Sequence, residues 1–85
     1  MKKIIEQEEG EGLEKFLGEK ILLMCGCYFY AGTLKGINDT CVLLADASIV
    51  YETGPWGDKQ YKDSQKLPSD WYVQTAAIES FGAGK

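Results

Sequence analysis

The stretch Tyr28–Ala47 reads YFYAGTLKGINDTCVLLADA. It begins as an aromatic-rich run and then sets Gly32, Leu34 and Gly36 at every second position. Side chains alternate between faces along a strand, so these three residues and Tyr30 share one face. Two glycines on one face of an extended segment mark a sharp bend or a close approach of another backbone. Asn38-Asp39-Thr40 follows as a polar turn, because Asn and Asp side chains bond to nearby backbone and tolerate turn dihedrals. From Cys41 to Thr53 the chain resumes an extended run rich in Val, Ile, Leu and Tyr. The expectation is a strongly bent hairpin of the kind that closes small barrels.

Upstream, Glu19–Cys25 holds the continuous apolar run Ile21-Leu22-Leu23-Met24, a strand that Gly26 breaks or bulges. Leu13, Phe16 and Leu17 stand at helical spacing, and Gly18 is placed where a helix stops. One or two turns of helix over 13–18 are expected as a lid on one end of the sheet. Residues 1–12 read as a loose acidic arm. Downstream, the segment 54–70 contains Pro55, Gly57 and Pro68 among scattered charges and reads as a loop. Trp71–Gln74 and Ala77–Phe81 are short strands joined at Thr75-Ala76, followed by a tail over 82–85. The fold class is therefore mainly β: a short N-terminal helix, then a strongly bent five-stranded open barrel with unpaired edges.

With 85 residues there is room for one core only. No apolar run approaches the roughly 20 residues a membrane-spanning helix needs. Glu6 interrupts the basic-then-apolar start MKKII, so a signal peptide is not expected, and the expected location is intracellular and cytoplasmic. The net charge is −4, all nine basic residues are lysines, and neither Arg nor His occurs. Arg is the usual bidentate phosphate and base-edge ligand and His the usual proton shuttle at neutral pH. A whole-chain basic footprint for nucleic acid is thus absent. No nucleophile–base pair through His is available, so no catalytic residue is assigned and an enzyme is not expected. Cys25, Cys27 and Cys41 are an odd set, which argues for reduced thiols embedded in strands. A tetrahedral metal site needs a fourth ligand that only a carboxylate supplies here, and neither metal nor cofactor is expected.

These residues resemble the Sm and Sm-like (LSm) family. Tyr30-x-Gly32-x-Leu34-x-Gly36-x-Asn38 is similar to that family's first motif, aromatic-x-Gly-x-Leu-x-Gly-x-Asp. Leu44-Ala45-Asp46-Ala47 resembles the end of the next strand, and Ile78-Glu79-Ser80-Phe81 the closing one. The resemblance covers about residues 13–53 and, more weakly, 71–82. It implies an SH3-like open barrel whose fourth strand pairs with the fifth of a neighbour, giving a homo-oligomeric ring. The implied interface is Trp71, Tyr72, Val73, Gln74, Ala77, Ile78, Glu79, Ser80 and Phe81. Family members bind uridine-rich or adenine-rich RNA through two loops, and the matching positions here are Asn38, Asp39, Thr40, Cys41, Gln74 and Thr75. Asn38 stands at the family's Asp, Thr40 at its stacking residue, Cys41 or Val42 at its Asn, and Val73-Gln74-Thr75 at its aliphatic-Arg-Gly. The stacking ring and the guanidinium are both replaced.

Two functions follow from this pattern. One is a ring that acts as a binding module for single-stranded RNA with an altered base pocket. The other is a ring that scaffolds another protein after losing RNA binding. Trp56, Lys59, Tyr61 and Lys62 interleave aromatic and basic groups, a pattern that binds single strands by stacking and charge. Asp58 and Asp63 cancel that charge locally, and a solvated loop tip is the plainer account. In Tyr28-Phe29-Tyr30 the middle ring alternates away from its neighbours, so at most part of the set shares a face. The acidic arm reads as a solvated tail, with a basic partner or the ring's mouth as alternatives.

Overall fold

The strand pattern read from Tyr28–Ala47 is realised as two long antiparallel strands around which the remaining chain is hung. The computed structural model describes residues 2–5 and 11–85. Its strands are β1 (Lys20–Cys25), β2 (Phe29–Ile37), β3 (Cys41–Glu52), β4 (Asp63–Lys66), β5 (Trp71–Gln74) and β6 (Ile78–Ala83). They form one antiparallel sheet in the order β4-β3-β2-β1-β6, with β5 also paired to β3. Twelve residues long, β3 serves two partners on its outer edge. Its first part, Cys41–Leu44, pairs with β5, and Ser48–Glu52 pairs with β4. The sheet stays open, because β6 pairs only with β1 and β5 only with β3 among the described residues.

The bend has a definite origin. Between Ala31 and Thr33 the partners on β3 jump from Ser48 to Ala45, so β3 carries one extra residue there. Asp46 absorbs it with a positive φ of 50°. Between Leu34 and Gly36 the partners step only from Leu44 to Leu43, so the extra residue is Lys35 on β2. Each bulge shifts the two-residue side-chain period by one and bends its strand. Val42, Leu44 and Ala47 therefore all reach the same core cluster, and Leu34 is joined there by Ile37. A Cβ on Gly32 would lie 2.8 Å from the Ala45 carbonyl oxygen and 3.3 Å from the Ala47 Cα, so β3 requires glycine at this point. A Cβ on Gly36 would meet only the Leu43 Cβ at 3.8 Å, an ordinary contact. The crease thus belongs to Gly32, and the second bend belongs to the Lys35 bulge rather than to Gly36.

Ile21, Leu23, Leu34, Val42 and Leu44 are fully buried in the main cluster. Removing each such side chain from water contributes about 1.5–3 kcal/mol. A smaller cluster of Leu22, Ala31 and Val50, flanked by Met24, Phe29 and Tyr61, covers the other face. β1 is buried on both sides, which explains its unbroken apolar run.

Several expectations need correction. The helix expected over 13–18 is a five-residue 3-10 turn, Gly12–Phe16. Gly12 and Gly18 take φ of +64° and +83°, leaving no span for an α-helical hydrogen-bond ladder. At three residues per turn Leu13 and Phe16 eclipse and both pack on the core, while Leu17 is rotated outward. The sheet has six strands instead of five, because β4 lies inside the segment 54–70 expected as loop. All four β4 residues are exposed, so no side-chain period announces the strand, and its backbone pairing with Ser48–Glu52 holds it. Ala77 belongs to a 3-10 turn, Thr75–Ala77, and the last strand extends through Gly82 and Ala83, residues expected in a tail. Of the acidic arm, residues 1 and 6–10 lie outside the described residues. Lys2–Ile5 are exposed, and Lys3 forms an ion pair with Glu11. Among the described residues no helix is long and apolar enough to cross a membrane, which says nothing of a membrane-spanning β-barrel.

Candidate functional site

The turn between β2 and β3 is built by one side chain. Asn38 Oδ1 accepts hydrogen bonds from the Thr40 N–H at 2.8 Å, the Cys41 N–H at 2.9 Å and the Thr40 hydroxyl at 3.1 Å. The Asn38 N–H closes the turn onto the Cys41 carbonyl at 3.0 Å. The two backbone donors fix which end of the amide is oxygen. With three donors on it, that oxygen is saturated, which leaves the amide's Nδ2 hydrogens as its remaining hydrogen-bonding groups. A carboxylate would perform the same turn-building task with a negative charge added. Asparagine builds it without the charge.

Pairing of β3 with β5 then brings the second segment alongside. Cys41 is opposite Gln74 in the ladder. The Thr75 N–H donates to the Thr40 carbonyl at 2.9 Å, and the Thr75 hydroxyl donates to the Asp39 carbonyl at 3.2 Å. The six residues Asn38, Asp39, Thr40, Cys41, Gln74 and Thr75, taken from two stretches far apart in sequence, therefore form one continuous surface at one end of β3. Asn38, Asp39, Thr40 and Gln74 are exposed there, and Cys41 and Thr75 are half-buried. The surface offers amide and hydroxyl groups and the Asp39 carboxylate, with no ring and no cation of its own. Lys35 is held in an ion pair with Asp70 at 2.9 Å. The hydrogen bond to Asp70 and the attraction of its charge raise the Lys35 pKa above the ordinary lysine value.

The loop residues singled out from the sequence lie at the opposite end of β3. Trp56 and Lys59 are exposed, Lys62 stands 3.5 Å from the Glu52 carboxylate, and Tyr61 is half-buried against the second cluster. The Tyr61 hydroxyl accepts the Lys85 N–H at 2.9 Å.

Of the nine expected interface residues, Trp71, Val73 and Ile78 pack on the core. Tyr72, Gln74, Ala77, Glu79, Ser80 and Phe81 are exposed along β5, the following turn and β6. Tyr72 is 68% and Phe81 41% exposed, large apolar areas left on strand edges. Phe81 also meets Phe16 edge to face at 6.2 Å.

A groove of 380 Å³ missed by the sequence reading runs beside β5, with Tyr28, Tyr30, Trp71 and Tyr72 among its lining residues. The alternation had pointed halfway to it. Phe29 turns to the second cluster while its neighbours face the groove. Trp71 and Tyr72 reach it only through the β3–β5 pairing, which no local pattern encodes. Burial raises the Tyr30 hydroxyl pKa, with smaller contributions from Cys25, Tyr28 and Cys27, and burial also raises that of the Cys25 thiol. No known family profile and no curated sequence matches this chain.

Proposed function

We propose that the chain is an Sm-like subunit that closes into a homo-oligomeric ring and acts as a binding module for single-stranded RNA through an altered base pocket. The observation that carries this reading is the β3–β5 pairing, which joins Asn38–Cys41 and Gln74–Thr75 into one exposed surface bordered by an open strand edge. The strand order and the Gly32 crease support it. Among the described residues β4, β5 and β6 each pair on one side only, and the open edges of β5 and β6 invite strand pairing between copies. Such a head-to-tail contact ends in a ring when its rotation closes. The exposed Tyr72 and Phe81 supply apolar area for that contact.

Base recognition on this surface is weak by construction. Stacking on an aromatic side chain contributes about 1–3 kcal/mol per base, and Thr40 has no ring. At 1.4 kcal/mol per decade that loss is roughly one to two decades of affinity per base. Gln74 keeps hydrogen-bonding capacity for a base edge and adds no phosphate attraction. The saturated Asn38 oxygen and the Asp39 charge favour the second reading, a ring that scaffolds another protein. Fluorescence anisotropy with oligo-U and oligo-A separates the two readings. The RNA reading expects micromolar binding that weakens as salt rises. No binding at micromolar ring concentration and low salt leaves the scaffold. Light scattering that reports only monomer at the same concentration removes both.

A further inference from the structure

The segment 53–62 is a loop closed at its neck. The Lys62 N–H donates to the Thr53 carbonyl at 3.3 Å, and the Asp58 N–H donates to the Pro55 carbonyl at 3.1 Å. Gly54 makes the neck possible: its φ is +70°, and a Cβ there would lie 3.0 Å from the Lys62 Cβ. With the neck drawn in, three backbone carbonyls converge on one point, which the Lys85 ammonium occupies. Its Nζ donates to the oxygens of Thr53 at 2.7 Å, Pro55 at 2.8 Å and Gln60 at 3.2 Å. It also sits 5.3 Å from the Tyr61 ring centroid and 5.7 Å from that of Trp56. An ammonium carries three N–H donors, and all three have a carbonyl here. Both rings are within the roughly 6 Å over which an aromatic face attracts a cation. Among the described residues no carboxylate pairs with Lys85.

The backbone that delivers Lys85 is held separately from its side chain. The Gly84 N–H donates to the Lys20 carbonyl and the Lys85 N–H to the Tyr61 hydroxyl, both at 2.9 Å. A Cβ on Gly84 would lie 2.9 Å from the Ile21 carbonyl carbon and 3.0 Å from the Tyr61 hydroxyl, so glycine lets this strap lie flat on β1. Truncating the Lys85 side chain therefore empties the cage and leaves the strap seated.

We infer that the 53–62 loop is a binding site for a primary ammonium group, filled in cis by Lys85 and open to an alkylammonium or a lysine side chain of another molecule once that side chain is removed. The chemistry selects for N–H donors as well as charge. A trimethylammonium keeps the charge and loses all three hydrogen bonds, and an acetylated amine loses the charge. In the wild-type protein an incoming amine competes with a tethered one, whose effective concentration is of order millimolar or higher.

The test follows the Trp56 indole N–H by NMR, with Trp71 as the remote reference, during titration with n-butylammonium chloride at constant ionic strength. In Lys85→Ala the Trp56 signal is expected to shift saturably, with a midpoint at least about tenfold below that of wild type. Butyltrimethylammonium chloride is expected to give no saturable shift. Equal midpoints in the two proteins, no saturation in the variant, or an equal response to the trimethyl probe overturns the inference. A measurement on the unaltered chain guards against a variant that does not fold. The Lys85 ammonium protons are expected to exchange with water at least about tenfold more slowly than those of the exposed Lys59. Exchange at the same rate overturns the cage.

Discussion

Gly32→Ala and Gly36→Ala form a matched pair that tests the origin of the bend. Both add one methyl to β2, four residues apart. At position 32 the new Cβ would be 2.8 Å from the Ala45 carbonyl oxygen, 3.2 Å from the Leu44 Cβ and 3.3 Å from the Ala47 Cα. Two of these neighbours are backbone, so relief requires β3 to move away from β2 at the bulge that holds Asp46. Overpacking of this kind costs about 1–3 kcal/mol, and loss of ladder hydrogen bonds places this case in the upper half of that range. At position 36 the only neighbour is the Leu43 Cβ at 3.8 Å, and φ is not in the left-handed region. There the reduced freedom of the unfolded chain stabilises by about 0.4–1 kcal/mol. The two variants should differ by roughly 2.5–4 kcal/mol, because the two effects have opposite sign. For a domain this small, each kcal/mol moves Tm by about 4–8 °C, so the separation is roughly 10 °C or more. Thermal unfolding by circular dichroism at equal protein concentration reads it, since Tm depends on concentration for any chain that self-associates. Equal destabilisation by both alanines, or a neutral Gly32→Ala, would refute the assignment of the crease to Gly32.

Asn38→Ala leaves two backbone N–H groups and the Thr40 hydroxyl without their acceptor and should cost about 1 kcal/mol, by analogy with capping residues. Asn38→Asp retains the acceptor and should stay within about 0.5 kcal/mol in urea denaturation, which separates the turn-building role from a charge effect. Because Asp70 raises the folded-state pKa of Lys35, the pair contributes its stabilisation below the ordinary lysine pKa and loses it as pH rises through the raised value. Lys35→Met should therefore flatten the alkaline limb of the pH–stability curve, and about 1 M salt should shrink the difference because the pair is exposed. Iodoacetamide followed by mass spectrometry should alkylate the exposed Cys27 at least about tenfold faster than Cys25, whose thiol is buried and has a raised pKa. Under the RNA reading, Gln74→Arg adds a phosphate-contacting cation and should steepen the salt dependence of oligo-U binding by about one unit of slope. An unchanged slope would place RNA elsewhere on the ring.

Features that rest on short-range chemistry could be read from the sequence. The Asn38 turn is one: its amide oxygen needs only N–H groups two and three residues ahead, so the residue type nearly implies the conformation. Gly18 ends the first turn with a positive φ, and Ile21–Leu23 are apolar because both faces of β1 are covered. Gly32 announces a close approach, although only the bulge register shows what approaches and that Gly36 is different. Features that join distant segments had no sequence signal of their own. β4 is four exposed polar residues, invisible to any periodicity and made a strand by its neighbour's backbone. The Thr75 contacts with Asp39 and Thr40, the groove of tyrosines beside β5, and the Lys85 cage all wait on the sheet topology. Local hydrogen bonding and hydrophobic alternation act within a few residues and leave their marks in the chain. The tertiary structure decides which edges, carbonyls and rings meet, because backbone groups are the same at every position and only the path of the chain brings them together.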